Sequence, residues 1–406
     1  MTHVLIAMAA LAMAAAPLLA ADAPPPASPP QPPQPPQPPQ PKPAPPPIVN
    51  PLADPAVMPI AVWLQDPELA PRYRAAGINL YVGLWQGPTR RQLETLRAAG
   101  MPVICRMNDL GKERLDDPVI VGWMHDDEPD NAQPLGEGKG YGPPIPTNLI
   151  VGYYHRMKET DPARPVLLNL GQGVAWDGWV GRGVRTNHPE DYAEYARGAD
   201  IVSFDIYPVA GGRAEVKGRL GYVPYGVERL IKWTGGEKRV WNCVECTRIG
   251  SGDRATPAQV RAMVWMSLIH GSRGIIWFVH EWKPKFSAHA LLDDAEMLAA
   301  VTALNSEVQG LAPVLAAASA EGVTVSPADA AVPVAIDARR FDGATYVFAA
   351  AMRGQPSRAT FSVTGVGDGA AAEVLGEDRR LPLEGGRFAD DFDGWGVHLY
   401  RIKGKD

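Results

Sequence analysis

The chain has 406 residues, more than one average domain but within the reach of a large α/β barrel with a small appendage. Its formal net charge of -6 comes without any block of Lys and Arg, which excludes the phosphate-tracking surface of a nucleic-acid binder. The three cysteines, Cys105, Cys243 and Cys246, exclude a disulfide framework; the lone C-x-x-C pair would point to opposite faces of a strand, so both are read as buried small hydrophobes.

Residues 1–23, MTHVLIAMAALAMAAAPLLAADA, form an apolar run ending in the small-x-small triplet Ala21-Asp22-Ala23, and they read as a signal peptide. The expected location is therefore periplasmic or extracellular, with membrane contact only if the run is retained as an anchor. Residues 24–50 carry a P-P-Q repeat and nothing able to build a core, so they read as a polyproline II linker.

From residue 58 short apolar runs alternate with amphipathic helical stretches. The runs are MPIAVWLQ, GINLYVGLW, MPVICRMN, VIVGWMHDD, PVLLNLG, DIVSFDIYP, RVWNCVE and RGIIWFVH. Each follows a Gly, Pro or polar turn and is too short for a helix, while helices are expected near 147–160, 189–197 and 223–234 and over TPAQVRAMVWMSLIHG. Eight such units predict an α/β fold, a (β/α)8 TIM barrel over 55–317, and the runs are apolar on both faces as parallel strands must be. Leu298, Val301, Leu304, Val308 and Leu311 put a closing helix at the barrel's end. After residue 318 the period switches to two, in VPVAIDARRF, ATYVFAAAM, ATFSVTG, AAEVLG and WGVHLYRI, which predicts a small C-terminal β-sandwich over 318–406.

In a barrel of this kind the C-terminal strand ends form the active face. The fourth run ends in His125, Asp126, Asp127 and Glu128 before Pro129, and the seventh ends in Glu245. Two carboxylates facing one another across the mouth are what glycoside hydrolysis uses, one protonated to donate to the leaving oxygen and one ionised at the anomeric carbon.

With these motifs in order the chain resembles clan A, the (β/α)8 superfamily of retaining glycoside hydrolases that includes family 5, family 42 and the β-galactosidase-like enzymes. The resemblance covers roughly residues 58–315. It implies that Glu128, in DDEP where the clan usually has Asn-Glu-Pro, is the acid/base, and that Glu245 is the nucleophile. It further implies that Tyr207 of FDIYP is the aromatic partner of the nucleophile and that Trp277 of IIWF floors the sugar subsite. Asp127 stands where Asn is usual: an ionised Asp only accepts hydrogen bonds, and a second charge beside Glu128 raises its pKa.

Other strand ends offer sugar contacts in Trp63, Trp85, Arg106, Asn169, Gln172, Asp205, His280 and Glu281, and Trp176 and Trp179 could stack on outer rings. Every one of these residues also has a structural reading, such as Glu245 paired with Arg248 or Arg106, or His125 satisfied in the core. The oxygen-rich HDDEPD segment lacks the alternate ligand spacing and Gly turn of a six-fold oxygen site, so neither a metal nor a cofactor is expected. The expected function is an exported glycosidase cleaving a β-linked oligo- or polysaccharide by retaining double displacement. The alternatives are a catalytically inactive carbohydrate-binding barrel, motivated by Asp127, and a metal-dependent hydrolase built on the acidic cluster.

Overall fold

The computed structural model describes residues 45–367 and 369–404, so the expected signal peptide and most of the proline-rich linker lie outside the described residues. The first six barrel strands are β1 (Ile60–Trp63), β2 (Leu80–Val82), β3 (Val103–Arg106), β4 (Ile120–Met124), β5 (Val166–Leu170) and β6 (Ile201–Phe204). The seventh comes in two halves, β7 (Arg239–Val240) and β8 (Asn242–Glu245), interrupted at Trp241, and β9 (Ile275–Phe278) is the eighth. Every pairing is parallel; β7 pairs with β6 and β8 with β9, so the ring closes through the broken seventh strand.

The strands alternate as the pleat requires. Ala61, Trp63, Val82, Ile104, Leu167, Ile201, Cys243 and Ile276 fill the barrel interior. Val62, Tyr81, Cys105, Trp123, Leu168, Val202, Val244 and Trp277 face the surrounding helices. Those helices are α1 (Ala70–Ala75), α2 (Arg90–Ala99), α3 (Asp109–Lys112), α4 (Thr147–Thr160), α5 (Asp191–Ala196), α6 (Tyr222–Trp233), α7 (Pro257–Ile269), α8 (Ala290–Asp293) and α9 (Ala295–Leu315). Helix α2 starts at a reciprocal Thr89/Gln92 capping box and stops at Gly100, whose φ of 65° is the left-handed conformation that glycine adopts without a Cβ penalty.

Beyond α9 lie β10 (Val323–Pro327), β11 (Val334–Phe341), β12 (Ala344–Ala351), β13 (Ser357–Val363), β14 (Ala371–Val374), β15 (Arg379–Pro382), β16 (Arg387–Phe392) and β17 (Val397–Lys403). They make two antiparallel sheets, β10-β13-β16 and β11-β12-β17-β14-β15, three more strands than the period-two runs mark. The fold class read from the sequence, a barrel followed by a sandwich, is the one observed. The period-two pattern is blurred in β12 because both its faces are buried: Val347, Ala349 and Ala351 enter the sandwich core, while Phe348 and Ala350 pack on the barrel.

Helix α7 is the element that joins the two layers. It is buried along nearly its whole length, since the barrel covers one side and the sandwich the other, and its sequence accordingly shows no polar stripe. Trp265 lies 5.2 Å from the Phe348 ring and donates through Nε1 to Glu307 on α9 at 2.6 Å; Arg261 donates to the Val397 carbonyl at 2.9 Å. Trp265→Ala is expected to lower the unfolding free energy by roughly 3–5 kcal/mol through the cavity it leaves. An unchanged midpoint in chemical denaturation would contradict that packing.

Candidate active site

At the end of β4 four ionisable residues take four different directions. The His125 ring turns outward, where its Nε2 lies 2.7 Å from the Gly198 carbonyl and must therefore carry the proton it donates; burial holds its pKa below the usual value. Asp126 stays at the surface in an ion pair with Arg106, 2.6 Å away, so Arg106 is engaged at the rim instead of in the mouth. Asp127 opens to solvent, yet protein rings it closely, and its Oδ1 accepts from Asn169 Nδ2 at 2.9 Å. Glu128 sits at φ 43°, a left-handed conformation that a residue with a Cβ adopts only where its surroundings impose it. Those surroundings are named: its N–H donates to the Asn169 carbonyl at 3.1 Å, and its Oε2 accepts from Asn131 Nδ2 at 2.7 Å.

Asn169, on the inner face of β5, ties this strand end to the next. Its amide nitrogen donates to Asp127 and, at 3.0 Å, to Asp205 Oδ1, while its oxygen accepts from Ser203 at 2.7 Å. Because one NH2 group serves both carboxylates, the two acceptor oxygens lie within about 6 Å of each other. Asp205, past the end of β6, is closed on its other side by the Tyr207 hydroxyl at 2.7 Å. Burial raises the Asp127 pKa to about 7, reinforced by Asp205. Burial is again the main cause for Glu128, which rises well above the usual carboxyl range with Asp205, Asp127 and Asp130 adding repulsion. The cluster thus shares protons that isolated carboxyls would have lost at neutral pH. Asp130 itself is an anchor, fully buried and capped by the Gly171 N–H and the Tyr192 hydroxyl, each at 2.8 Å.

The seventh strand corrects the sequence reading. Glu245 has no exposed surface, and both its oxygens are occupied, Oε1 by the Val209 N–H at 2.7 Å and Oε2 by the Ala210 N–H at 2.5 Å. Burial raises its pKa to about 7 against the pull of those two donors. It neither meets an arginine nor stands free in the mouth as an attacking carboxylate must. Instead it pins the turn after Tyr207, and through that turn the Tyr207–Asp205–Asn169–Asp127 chain of hydrogen bonds.

Trp277 requires a second correction. Its position in β9 faces outward, where it is fully buried and donates to Asn305 of α9 at 3.0 Å, so it floors no sugar subsite. Its neighbour Phe278 points inward and meets Tyr207 at 5.1 Å between ring centroids. Trp282 stacks on Phe278 at 5.7 Å and 12°, and Phe286 and His280 extend the wall; Trp282 and Phe286 are exposed. Tyr207 and His280 of this wall were marked from the sequence, but Phe278 and Trp282 were missed because they lie on the face of the strand opposite Trp277. The alternation of IIWFVHEW carries the signal, since 276, 278, 280 and 282 share a face.

His280 is buried in that wall, and Nδ1 has no partner among the described residues while Nε2 lies 3.4 Å from the Gln65 amide; burial lowers its pKa to about 4. Trp85 is exposed at the rim, and Trp63 is buried inside the barrel. Gln172 is buried with its Oε1 unpartnered among the described residues, and Glu281 pairs with Arg248 at 3.3 Å. Trp176 and Trp179 pack on each other at 5.9 Å, and Trp179 donates to Asn131 Oδ1 at 2.8 Å. Asn131 is a further residue that sequence reasoning missed. It holds Glu128 with one end of its amide and Trp179 with the other, lying so close over Gly171 that a Cβ there would stand 2.8 Å from it. Among the described residues no group of three or more His, Cys, Asp or Glu side chains is arranged to hold a metal ion.

No protein-family model and no curated protein matches the chain. Solved structures do. An α-amylase from Geobacillus thermoleovorans, complexed with acarbose, is 11% identical with a TM-score of 0.50, covering 87% of this chain and 99% of its own. A Bacteroides fragilis protein described as a candidate α-galactosidase/melibiase is 9% identical with a TM-score of 0.51, covering 86% of this chain and 79% of its own. At such identities the likeness shows a shared fold.

The raised carboxyls set a pH dependence of stability. Near neutral pH the folded protein holds protons on Asp127 and Glu245 that the unfolded chain has already released, so stability falls as pH rises through about 7. The melting temperature should be lower at pH 8 than at pH 6.5, and Asp127→Asn should flatten that slope; a flat wild-type profile would contradict the assignment. Glu245→Gln puts an NH2 group against one of two backbone N–H donors and is expected to cost about 1–3 kcal/mol, read in urea denaturation.

Proposed function

We propose that the protein is a glycoside hydrolase acting on a β-linked oligo- or polysaccharide, with Glu128 as the general acid and base. The observation that carries this reading is the proton-holding group of Asp127, Glu128 and Asp205 at the C-terminal mouth of the barrel, gathered by the single Asn169 amide. A carboxyl kept protonated by burial and by like-charged neighbours is what a leaving glycosidic oxygen needs. The aromatic wall of Tyr207, Phe278, Trp282 and Phe286 offers flat apolar faces for the C–H side of a sugar ring. The apolar leader of residues 1–23 fits export, as expected for an enzyme meeting polymeric carbohydrate.

The resemblance to clan A implies a nucleophile at Glu245, but a fully buried carboxyl with both oxygens on backbone N–H groups does not support that role. Its loss also favours a second reading, a barrel that binds glycan without cleaving it. The two part on one variant. Glu128→Gln should lower kcat roughly 100-fold or more on glycosides with poor leaving groups and far less on a dinitrophenyl glycoside, which leaves without protonation. Because the acid must be protonated, kcat should fall as pH rises through the elevated Glu128 pKa. Glycan binding with no turnover, unchanged in Glu128→Gln, would replace the hydrolase reading with the binding one.

A further inference from the structure

Cleaving a glycosidic bond needs a proton for the leaving oxygen and an electron pair for the anomeric carbon, the latter approaching from the opposite side of the ring. Glu128 supplies the first. Around Asn169 the described residues offer few candidates for the second. Glu245 is fully buried with both oxygens capped by backbone N–H groups, and Asp130 is fully buried and capped by Gly171 and Tyr192. Asp205 is 7% exposed, with one oxygen on Asn169 and the other on Tyr207. Of the carboxylates gathered around Asn169, Asp127 is the one besides Glu128 that opens to solvent with an oxygen free of hydrogen-bond partners among the described residues, since Asn169 takes Oδ1 alone. Yet Asp127 directly precedes Glu128 at the end of one strand. Both residues are tied to Asn169, Asp127 through its carboxylate and Glu128 through its N–H, so both belong to the same side of the mouth, whereas a double displacement needs its two carboxyls on opposite sides of the sugar.

Resting on the glycoside hydrolase reading of this site, we propose that the substrate brings its own nucleophile: the sugar cleaved is a β-linked 2-acetamido-2-deoxy sugar, and Asp127 accepts the N–H of its acetamido group. The acetamido carbonyl oxygen forms a bond to the anomeric carbon as the bond to the leaving oxygen breaks, and that oxygen takes the Glu128 proton. The bicyclic oxazolinium that results carries its positive charge next to the Asp127 carboxylate. Water then attacks the anomeric carbon, giving its proton to Glu128 and returning the bond electrons to the acetamido oxygen. The β-linkage follows from geometry, because in gluco- and galacto-configured sugars the C2 substituent reaches only the face opposite a β leaving group.

One further feature fits such a substrate. The wall from Tyr207 through Phe278 to Trp282 gives apolar surface that a methyl group and a ring face can cover.

The test compares 4-nitrophenyl β-glycosides of N-acetylglucosamine and N-acetylgalactosamine with those of glucose and galactose, as single sugars and as short β-linked oligomers. A preference of roughly 100-fold or more in kcat/KM for the acetamido sugars is expected. Replacing acetyl by trifluoroacetyl, which starves the carbonyl oxygen of electrons, should slow wild-type enzyme progressively with fluorine content, a readout independent of any variant's folding. Asp127→Ala, checked for fold by circular dichroism, should lose kcat on the acetamido substrates. Equal cleavage of the plain glycosides, or a covalent adduct with a 2-deoxy-2-fluoro glycoside seen by mass spectrometry, would overturn the inference and leave the hydrolase reading standing. Failure of the folded protein to cleave either class would overturn both.

Discussion

One amide group organises the mouth of this barrel. The Asn169 nitrogen donates to Asp127 and Asp205 at once, and its backbone carbonyl takes the N–H of Glu128. Carboxylates this close repel, and burial makes the repulsion stronger; what keeps them together is a neutral donor between them and protons retained on the cluster. A cation in the same place would have pulled those carboxyls down to ordinary acidity. The choice of an amide over an arginine leaves those carboxyls with raised pKa values, and the rest of the site is arranged to keep that amide in position.

That arrangement reaches back through a chain of contacts. Ser203 fixes which end of Asn169 points to the carboxylates, Tyr207 closes Asp205, and Glu245 pins the turn that carries Tyr207 by accepting two backbone N–H groups. On the other side Asn131 holds Glu128, and Gly171 leaves room for Asn131. The left-handed backbone at Glu128 is the cost of aiming its carboxyl inward, and these hydrogen bonds offset it. Charged residues at strand ends thus stand in two opposite states, Glu128 with one oxygen free at the mouth and Glu245 with both oxygens clamped on backbone N–H groups.

The sandwich contributes by burying the outside of the barrel where helices alone would not. Phe348 and Ala350 of β12 and Val397 and Leu399 of β17 cover α7, which would otherwise expose an apolar face. Helix α7 follows the strand that ends in Glu245, so this packing holds rigid the part of the barrel from which the clamp extends.

The sequence by itself determined the alternation of eight strands with helices and the switch to period two that follows, because hydrophobic spacing reports which faces are buried. It also marked Asp127 and Glu128, since charge directly after a buried strand has few places to go but the mouth. Asn169, Asp205 and Tyr207 were legible for the same reason. Only the tertiary structure decided which strand-end groups are free. Nothing local in NCVECT tells an attacking glutamate from one whose oxygens are capped by N–H groups 35 and 36 residues away in sequence. Nor does a tryptophan show which side of its strand it takes: in β9 a shift of one residue exchanges Trp277 for Phe278, because side chains alternate and the register is set by pairing with neighbouring strands. The order of elements is written in local pattern, whereas the state of each polar group depends on partners that folding brings from far along the chain.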